Sequence, residues 1–220
     1  MTPQIEIVGP QFSTFVRSVM LCCEEKGIAY HAGMQLKGQD VEFKGEARFA
    51  INPLGKVPVI HHKGRFLYET GPICRYLDSA FEGQALQPQD LYAKSIVDQW
   101  CQVISTHVDR VIVRDYLLEF AFPKGENGAI RMDKVADVQP SVIAVLGILE
   151  QQIGDQAFIC GDQFTIADAL LIPMLDYLVG LPHGDQLLRA DMRLTAYIVR
   201  MQKRASCQNV LPKPAVTKSS

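Results

Sequence analysis

The sequence lacks the features that would point to a membrane or to a nucleic acid. Among its 220 residues no apolar run is long enough to cross a bilayer, and the start at Met1-Thr2-Pro3-Gln4 has neither the basic nor the apolar block of a signal peptide. The net charge is −2 and no basic stripe stands out, so we expect neither nucleic acid nor an anionic membrane as a partner. Together these absences predict a cytoplasmic protein.

Metal-binding and disulfide patterns are missing as well. The chain has 6 cysteines, with no C-x-x-C pair and no cysteine–histidine spacing typical of a metal site. They lie mostly in apolar stretches: Cys22, Cys23, Cys74, Cys101, Cys160 and Cys207. We therefore expect reduced, buried thiols and no bound metal.

What the first third of the chain does contain is an alternation of strand and helix patterns. Residues 5–8 alternate and end at Gly9-Pro10, and an apolar stripe then predicts a helix that Ser13 or Thr14 caps and Gly27 ends. Residues 28–36 read as a second strand, followed by a polar connector with at most a weak helical segment. The predicted order up to residue 82 is β-α-β-α-β-β-α.

The most informative segment of the chain is the hairpin that follows Pro58. A proline at the head of a strand donates no ladder hydrogen bond, and a cis bond after Val57 would turn the backbone of Val57 toward a ligand. Lys63-Gly64 predicts the hairpin turn, and a helix over 70–81 is predicted to begin at Thr70 as its N-cap. An open strand edge and a helix N-terminus then meet at one place, which suits a short peptide with a free carboxylate and a free amine.

The rest of the chain has helical periodicity, with one long amphipathic face over 97–112. Thr165-Ile166-Ala167-Asp168 predicts a capping box at the start of a buried helix, and a last helix is predicted over roughly 187–204. We predict an α/β domain over 1–82, a linker over 83–91, an all-helical domain over 92–205 and a disordered tail over 206–220.

Four motifs occur in this order along the chain: Ser13-Thr14-x-x-Arg17, Asn52-Pro53-x-Gly55-x-Val57-Pro58, Glu69-Thr70 and Thr165-Ile166-Ala167-Asp168. A chain of this arrangement with these motifs resembles the cytosolic glutathione S-transferase superfamily. The resemblance implies a thioredoxin-like glutathione-binding domain followed by a helical-bundle domain, and it points to a serine-type class, either phi- or theta-like or an unclassified bacterial-type class. It also implies a homodimer, a role in detoxification and glutathione as cosubstrate.

Carried over by position, the resemblance assigns glutathione-binding roles. The backbone of Val57, before Pro58, would bind the cysteinyl unit, and Glu69 and Thr70 would bind the γ-glutamyl amine and carboxylate. Two lysines would pair with the anionic tripeptide: Lys44 matches a position that often reaches the glycyl carboxylate, and Lys56 replaces a residue that is frequently glutamine.

Ser13 matches the position of the catalytic serine, with Thr14 as the rival hydroxyl. A thiol with a pKa of about 8.5 is mostly protonated at neutral pH, and lowering that pKa by about 2 units takes about 2.7 kcal/mol. One charged hydrogen bond of roughly 1.5–3 kcal/mol, helped by the N-terminus of the helix, is enough to do this.

The implied activity is conjugation of the glutathione thiolate to small apolar electrophiles, with Phe15 and His107 as candidates for the second-substrate pocket. Two alternatives stay open: other glutathione-dependent chemistry on the same fold, such as ether or halide cleavage or peroxide reduction, or a non-catalytic binding protein.

Overall fold

The computed structural model describes residues 4–42 and 46–211. Its N-terminal part is built around a four-stranded sheet in the order β2-β1-β5-β6. The elements of this part are β1 (Ile5–Val8), α1 (Thr14–Lys26), β2 (Tyr30–Gly33), β3 (Gln35–Leu36), β4 (Gln39–Asp40), α2 (Ala47–Ile51), β5 (Val59–His62), β6 (Arg65–Tyr68) and α3 (Thr70–Ala80).

The sheet is mixed. β1 runs parallel to β2 and antiparallel to β5, and β5 pairs antiparallel with β6. The parallel pair is joined by α1, whose apolar stripe packs into the core because Val16 and Val19 are fully buried. This is the thioredoxin-like α/β domain that the sequence predicts.

The segment after β2 differs from the prediction of one strand over 28–36. The strand ends at Gly33, and β3 and β4 form a separate two-stranded ladder. The cause is the turn Lys37-Gly38, in which both residues have positive φ (51° and 75°), as in Lys63-Gly64 (49° and 78°). The same dipeptide makes both turns, so the sequence carried a signal for this hairpin too.

The C-terminal part is helical, as predicted. No helix among residues 4–42 and 46–211 is long and apolar enough to span a membrane. The elements are α4 (Leu91–Val103), a π-helical segment (Ile104–Leu117), α5 (Leu118–Ala121), a 3-10 turn (Glu126–Gly128), α6 (Met132–Ile153), α7 (Ile166–Val179), α8 (Gly184–Leu187), α9 (Arg193–Gln202) and α10 (Ala205–Val210).

Helix α7 runs through the middle of this part and is buried over nearly its whole length. Its start is fixed by Asp168, whose carboxylate accepts hydrogen bonds from the backbone N–H of Thr165 (2.8 Å) and of Ile159 (2.9 Å). The predicted capping role of Asp168 is therefore confirmed.

Two predictions for the last quarter of the chain are wrong. The single helix over 187–204 is split into α8 and α9, because Glu150 of α6 accepts hydrogen bonds from the backbone N–H groups of Arg193 and Leu194 (2.9 and 2.8 Å) and so starts a new helix there. The disordered tail does not begin at Ser206, since α10 covers that position and Cys207 is buried. Residues 212–220 lie outside the described residues.

Helix α1 joins the two parts of the molecule. At its N-terminal end the hydroxyl of Tyr177 in α7 donates to the backbone oxygen of Phe12 (2.7 Å), and the guanidinium of Arg17 lies 4.6 Å from the ring centroid of the same tyrosine. At its C-terminal end Arg204 forms an ion pair with Glu25 (2.6 Å). These contacts hold both ends of α1 against the helical part.

A candidate active site between the sheet and the helical part

A cavity of about 510 Å³ lies between the sheet domain and the helices that follow it. Residues from the Val57 loop and from the start of α3 form one wall, and residues from α4 and the π-helical segment form the other. The sequence-predicted residues that line it are Phe15, Lys56, Val57, Pro58, Glu69 and Thr70. The structure thus brings together side chains that are more than fifty positions apart in the chain.

The loop before β5 is held in shape by Asn52, which is almost fully buried. Its side-chain amide donates to the backbone oxygen of Lys56 (2.8 Å), and its side-chain oxygen accepts from the N–H of Leu54 (2.9 Å). The bond between Val57 and Pro58 is cis, as the sequence predicted. Among the described residues no backbone hydrogen bond satisfies Val57, so its N–H and C=O remain available to a ligand.

Glu69 and Thr70 stand at the N-terminus of α3. Glu69, rather than Thr70, is the N-cap residue, and its backbone has φ 71° and ψ 120°, a conformation that is rare outside glycine. Such backbone outliers concentrate at ligand-binding sites. The Glu69 side chain is exposed and Thr70 is buried as the first helical residue, so a carboxylate and a helix N-terminus face the same cavity.

Ser13 is the N-cap residue of α1, but its side chain makes no hydrogen bond to that helix. Ser13 does not itself line the cavity, whereas Phe15 does. The loop before Ser13 packs directly against Val57, because a Cβ on Gly9 would lie 3.0 Å from the Cβ of Val57. Thr14 is buried and Ser13 is only partly so, which leaves Ser13 as the more accessible hydroxyl.

The helical wall of the cavity is polar, and sequence reasoning missed most of it. Asp109 is only 6% exposed, and burial raises its pKa although the hydrogen bond and charge of Arg114 and the charge of Lys56 lower it. Cys101 also lines the cavity, but burial raises the pKa of its thiol far above the usual range, so it stays protonated. Polar residues on an otherwise apolar helix were the available signal for this wall.

Two of the predicted site residues need separate comment. His107 is exposed and is not among the residues that line this cavity, so its role in a second-substrate pocket stays a prediction. The side chains of Ser105, Thr106 and Asp109, on the same segment, occupy that wall instead. Lys44 lies outside the described residues.

The charges around the cavity balance. Three cations and three carboxylates line it: Lys56, Arg75, Arg114, Glu69, Asp98 and Asp109. Arg75 and Asp98 pair across the two parts of the molecule at 3.1 Å. Among residues 4–42 and 46–211 no group of three or more histidine, cysteine, aspartate or glutamate side chains could hold a metal ion. The arrangement suits a zwitterionic peptide.

Comparison with protein families gives matches at both ends of the chain. Residues 12–80 match the family described as "Glutathione S-transferase, N-terminal domain". Residues 132–200 match the family described as "Glutathione S-transferase, C-terminal domain". The two matches together cover most of the chain and follow the same order as its two structural parts.

Relatives of known name agree. The chain is 26% identical over 209 residues to glutathione S-transferase F12 of Arabidopsis thaliana, covering 94% of this chain and 97% of that protein. It is 26% identical over 214 residues to the probable glutathione S-transferase GSTF1 of Oryza sativa subsp. japonica, covering 96% of each. Among solved structures, poplar glutathione transferase F1 superposes with a TM-score of 0.82 at 26% identity, covering 96% of this chain and 97% of that one.

Proposed function

We propose, for a chain that belongs to the cytosolic glutathione S-transferase superfamily, that Ser13 stabilises the thiolate of bound glutathione during conjugation. The chain is a glutathione transferase with glutathione as its cosubstrate, and it resembles the phi class in sequence and in fold. The roles of the individual residues are the subject of the proposal.

Glutathione lies, in this proposal, along the wall formed by the Val57 loop and the start of α3. The open N–H and C=O of Val57, beside Pro58, bind the cysteinyl unit as a strand would. Glu69 pairs with the γ-glutamyl amine, and the N-terminus of α3 at Thr70 binds the adjacent carboxylate. Lys56 contacts the backbone of the tripeptide and adds a positive charge beside it, and Lys44, by the family resemblance alone, pairs with the glycyl carboxylate.

The observation that carries the catalytic proposal is the free hydroxyl at the start of α1. Ser13 occupies the N-cap position without using its side chain as a cap, so the hydroxyl can donate to a thiolate instead. A charged hydrogen bond contributes roughly 1.5–3 kcal/mol, and the helix N-terminus adds about 0.3–1 kcal/mol. That sum lowers the thiol pKa by about 2 units, which converts most of the glutathione to thiolate at neutral pH.

Replacing Ser13 by alanine tests this role. In Ser13→Ala the pKa of bound glutathione should rise by about 2 units, from about 6.5 to about 8.5, so the thiolate fraction at pH 7 and with it kcat/KM for chlorodinitrobenzene should fall about 25-fold. Glutathione binding measured by calorimetry should change little, because Val57, Glu69 and Thr70 remain. The pH dependence of kcat/KM reports the thiol pKa directly.

Two further variants serve as controls. Ser95→Ala removes an exposed hydroxyl that bonds only to the backbone oxygen of Leu91, so it should leave the kinetics unchanged. Thr14→Val tests the rival hydroxyl and should have little effect. The catalytic assignment is wrong if Ser13→Ala keeps the parent pH profile, or if Thr14→Val shows the loss instead.

We also propose that the chain acts as a homodimer. Large apolar side chains are exposed on the edge strand β6, on α3 and at the start of α4: Phe66, Tyr68, Tyr76, Leu91 and Tyr92. An exposed strand edge beside apolar side chains favours association. Sedimentation should show a dimer that Tyr92→Lys weakens, whereas Val199→Lys, a comparable change on α9, should not.

A cytoplasmic location is part of the same proposal. All six cysteines are free, and five of them are buried. Thiols in that state suit a reducing compartment. Fractionation of cells that express the protein would test this.

A further inference from the structure

An arginine on the helical wall of the cavity is held by a buried aspartate. The Nε of Arg114 donates to Oδ2 of Asp109 at 2.9 Å, and the two residues are five positions apart. In an α-helix side chains at that spacing point in different directions, but in the π-helical segment backbone hydrogen bonds join residues five apart, so these side chains lie side by side. The local helix type therefore makes this pair possible.

The geometry of the guanidinium leaves its outer end open. With Nε bound to Asp109, the planar group is fixed in direction, and its two terminal nitrogens have no partner among the described residues. The Arg114 side chain is half-exposed, lines the cavity, and places its guanidinium carbon 6.0 Å from the ring centroid of Phe15. A fixed pair of cationic donors thus faces the cavity near the start of α1.

The π-helical segment contains a second arginine–aspartate pair with the same spacing, and this pair does not line the cavity. Arg110 donates to Asp115 at 2.8 Å, again five residues apart, but neither residue lines the cavity. The Asp115 side chain is 34% exposed, whereas that of Asp109 is 9% exposed. Of these two pairs, Asp109 and Arg114 are the one that combines a buried anchor with an open cationic end.

We propose that Arg114 binds the oxygen of the electrophilic cosubstrate that gains negative charge when the thiolate attacks, and that Asp109 is a positioning residue that orients Arg114. This inference rests on the proposed conjugation at the same site and names the electrophiles that the site favours. They are α,β-unsaturated carbonyl compounds and nitroaryl halides, in which an oxygen receives the electron pair.

The chemistry balances without any further reactant. With an unsaturated ketone, the thiolate sulfur forms a bond to the β-carbon and the alkene electron pair moves to the carbonyl oxygen. The resulting enolate takes up at its α-carbon the proton that the thiol lost to solvent. Donors placed where this charge develops stabilise the transition state more than the ground state.

Two electrophiles that place the developing negative charge on different atoms distinguish transition-state stabilisation by Arg114 from simple substrate binding. With an unsaturated ketone the charge moves to a carbonyl oxygen, whereas with a primary alkyl iodide it leaves with the halide. Arg114→Gln should lower kcat/KM about 100-fold for the ketone and less than about threefold for the iodide. Asp109→Asn should lower the ketone value about tenfold, because Arg114 keeps its charge but loses its fixed direction.

The matched controls are Arg110→Gln and Asp115→Asn, which break the second pair. Neither should change kcat/KM for the ketone or for the iodide. Arg114→Lys keeps the charge without the fork and should recover only part of the ketone activity. Urea unfolding of each variant shows whether the protein is folded during the assay.

Three outcomes would overturn the inference. One is an equal loss for both electrophiles in Arg114→Gln. Another is a rise in the KM for glutathione with kcat unchanged, which would make Arg114 a ligand of the tripeptide. The third is a ketone activity in Arg114→Lys equal to that of the parent protein. Failure of the Ser13 proposal has a different signature: Ser13→Ala would then leave kcat/KM unchanged for both the ketone and the iodide, whereas its success lowers both equally.

Discussion

The helical part contains two buried aspartates with opposite surroundings. Asp168, below the start of α7, is fully buried and accepts four hydrogen bonds, from the N–H groups of Ile159 and Thr165 and from the hydroxyls of Thr165 and Tyr197. Asp109, in the π-helical segment, accepts one from Arg114, and its Oδ1 has no hydrogen-bond partner in the part of the chain that the structure describes. Both carboxylates are removed from water, but only one is satisfied by the fold.

The two aspartates show that a buried carboxylate can serve either folding or the site, depending on how many hydrogen bonds it accepts. A carboxylate with four donors ties a loop, a helix start and a second helix together, so losing it leaves all of those donors unpaired. A carboxylate with an unpaired oxygen costs folding free energy, so its presence is not explained by folding alone. Asp168 is therefore a folding residue and Asp109 a residue of the site.

The strongest way to break this comparison is to remove Asp168. In Asp168→Ala four buried donors lose their acceptor, and the free energy of unfolding should fall by at least about 3 kcal/mol. Urea denaturation followed by circular dichroism measures this. A loss below about 1 kcal/mol would mean that the four hydrogen bonds contribute little to folding.

Removing a single donor to Asp168 tests the same comparison between the two aspartates with a smaller change. Tyr197→Phe removes one of the four donors and leaves the ring packed in the core, so the free energy of unfolding should fall by about 1 kcal/mol. The glutathione affinity should not change, because Tyr197 does not line the cavity. A change in affinity without a loss of stability would contradict the assignment of Asp168 to folding.

The smallest effect on stability is expected at Asp109. Asp109→Asn removes a desolvated charge and leaves at most a weaker, uncharged hydrogen bond to Arg114, and the half-exposed Arg114 stays hydrated. The free energy of unfolding should therefore change by less than about 1 kcal/mol. Thermal unfolding beside Asp115→Asn, the exposed counterpart, measures this. If Asp109→Asn destabilises the protein as strongly as Asp168→Ala, both aspartates are folding residues.

Local signals in the sequence predicted most of the sheet domain. The strand at 5–8, the helix from Ser13 to Gly27 and the hairpin turn at Lys63-Gly64 depend on neighbouring residues, and all three are confirmed. The polar appearance of the last residues was misleading at Ser206, because packing against α1 makes a helix there.

The sheet-side wall of the site was predictable for the same reason, since Val57, Glu69 and Thr70 belong to one short stretch. The helical wall was not. An α-helical period predicts one apolar face over 97–112, whereas the π-helical bonds observed over Ile104–Leu117 change which side chains share a face. Asp109 and Arg114 are therefore absent from the predicted site residues.

The sequence by itself determined the order of strands and helices around the four-stranded sheet, the family resemblance and the stretch of backbone that we propose binds the tripeptide, because periodicity, turns and caps act over a few residues. Only the tertiary structure decided which helical side chains oppose that backbone and which buried carboxylate is left unpaired. These properties depend on contacts between distant segments and on the phase of one helix, and no local pattern carries that information.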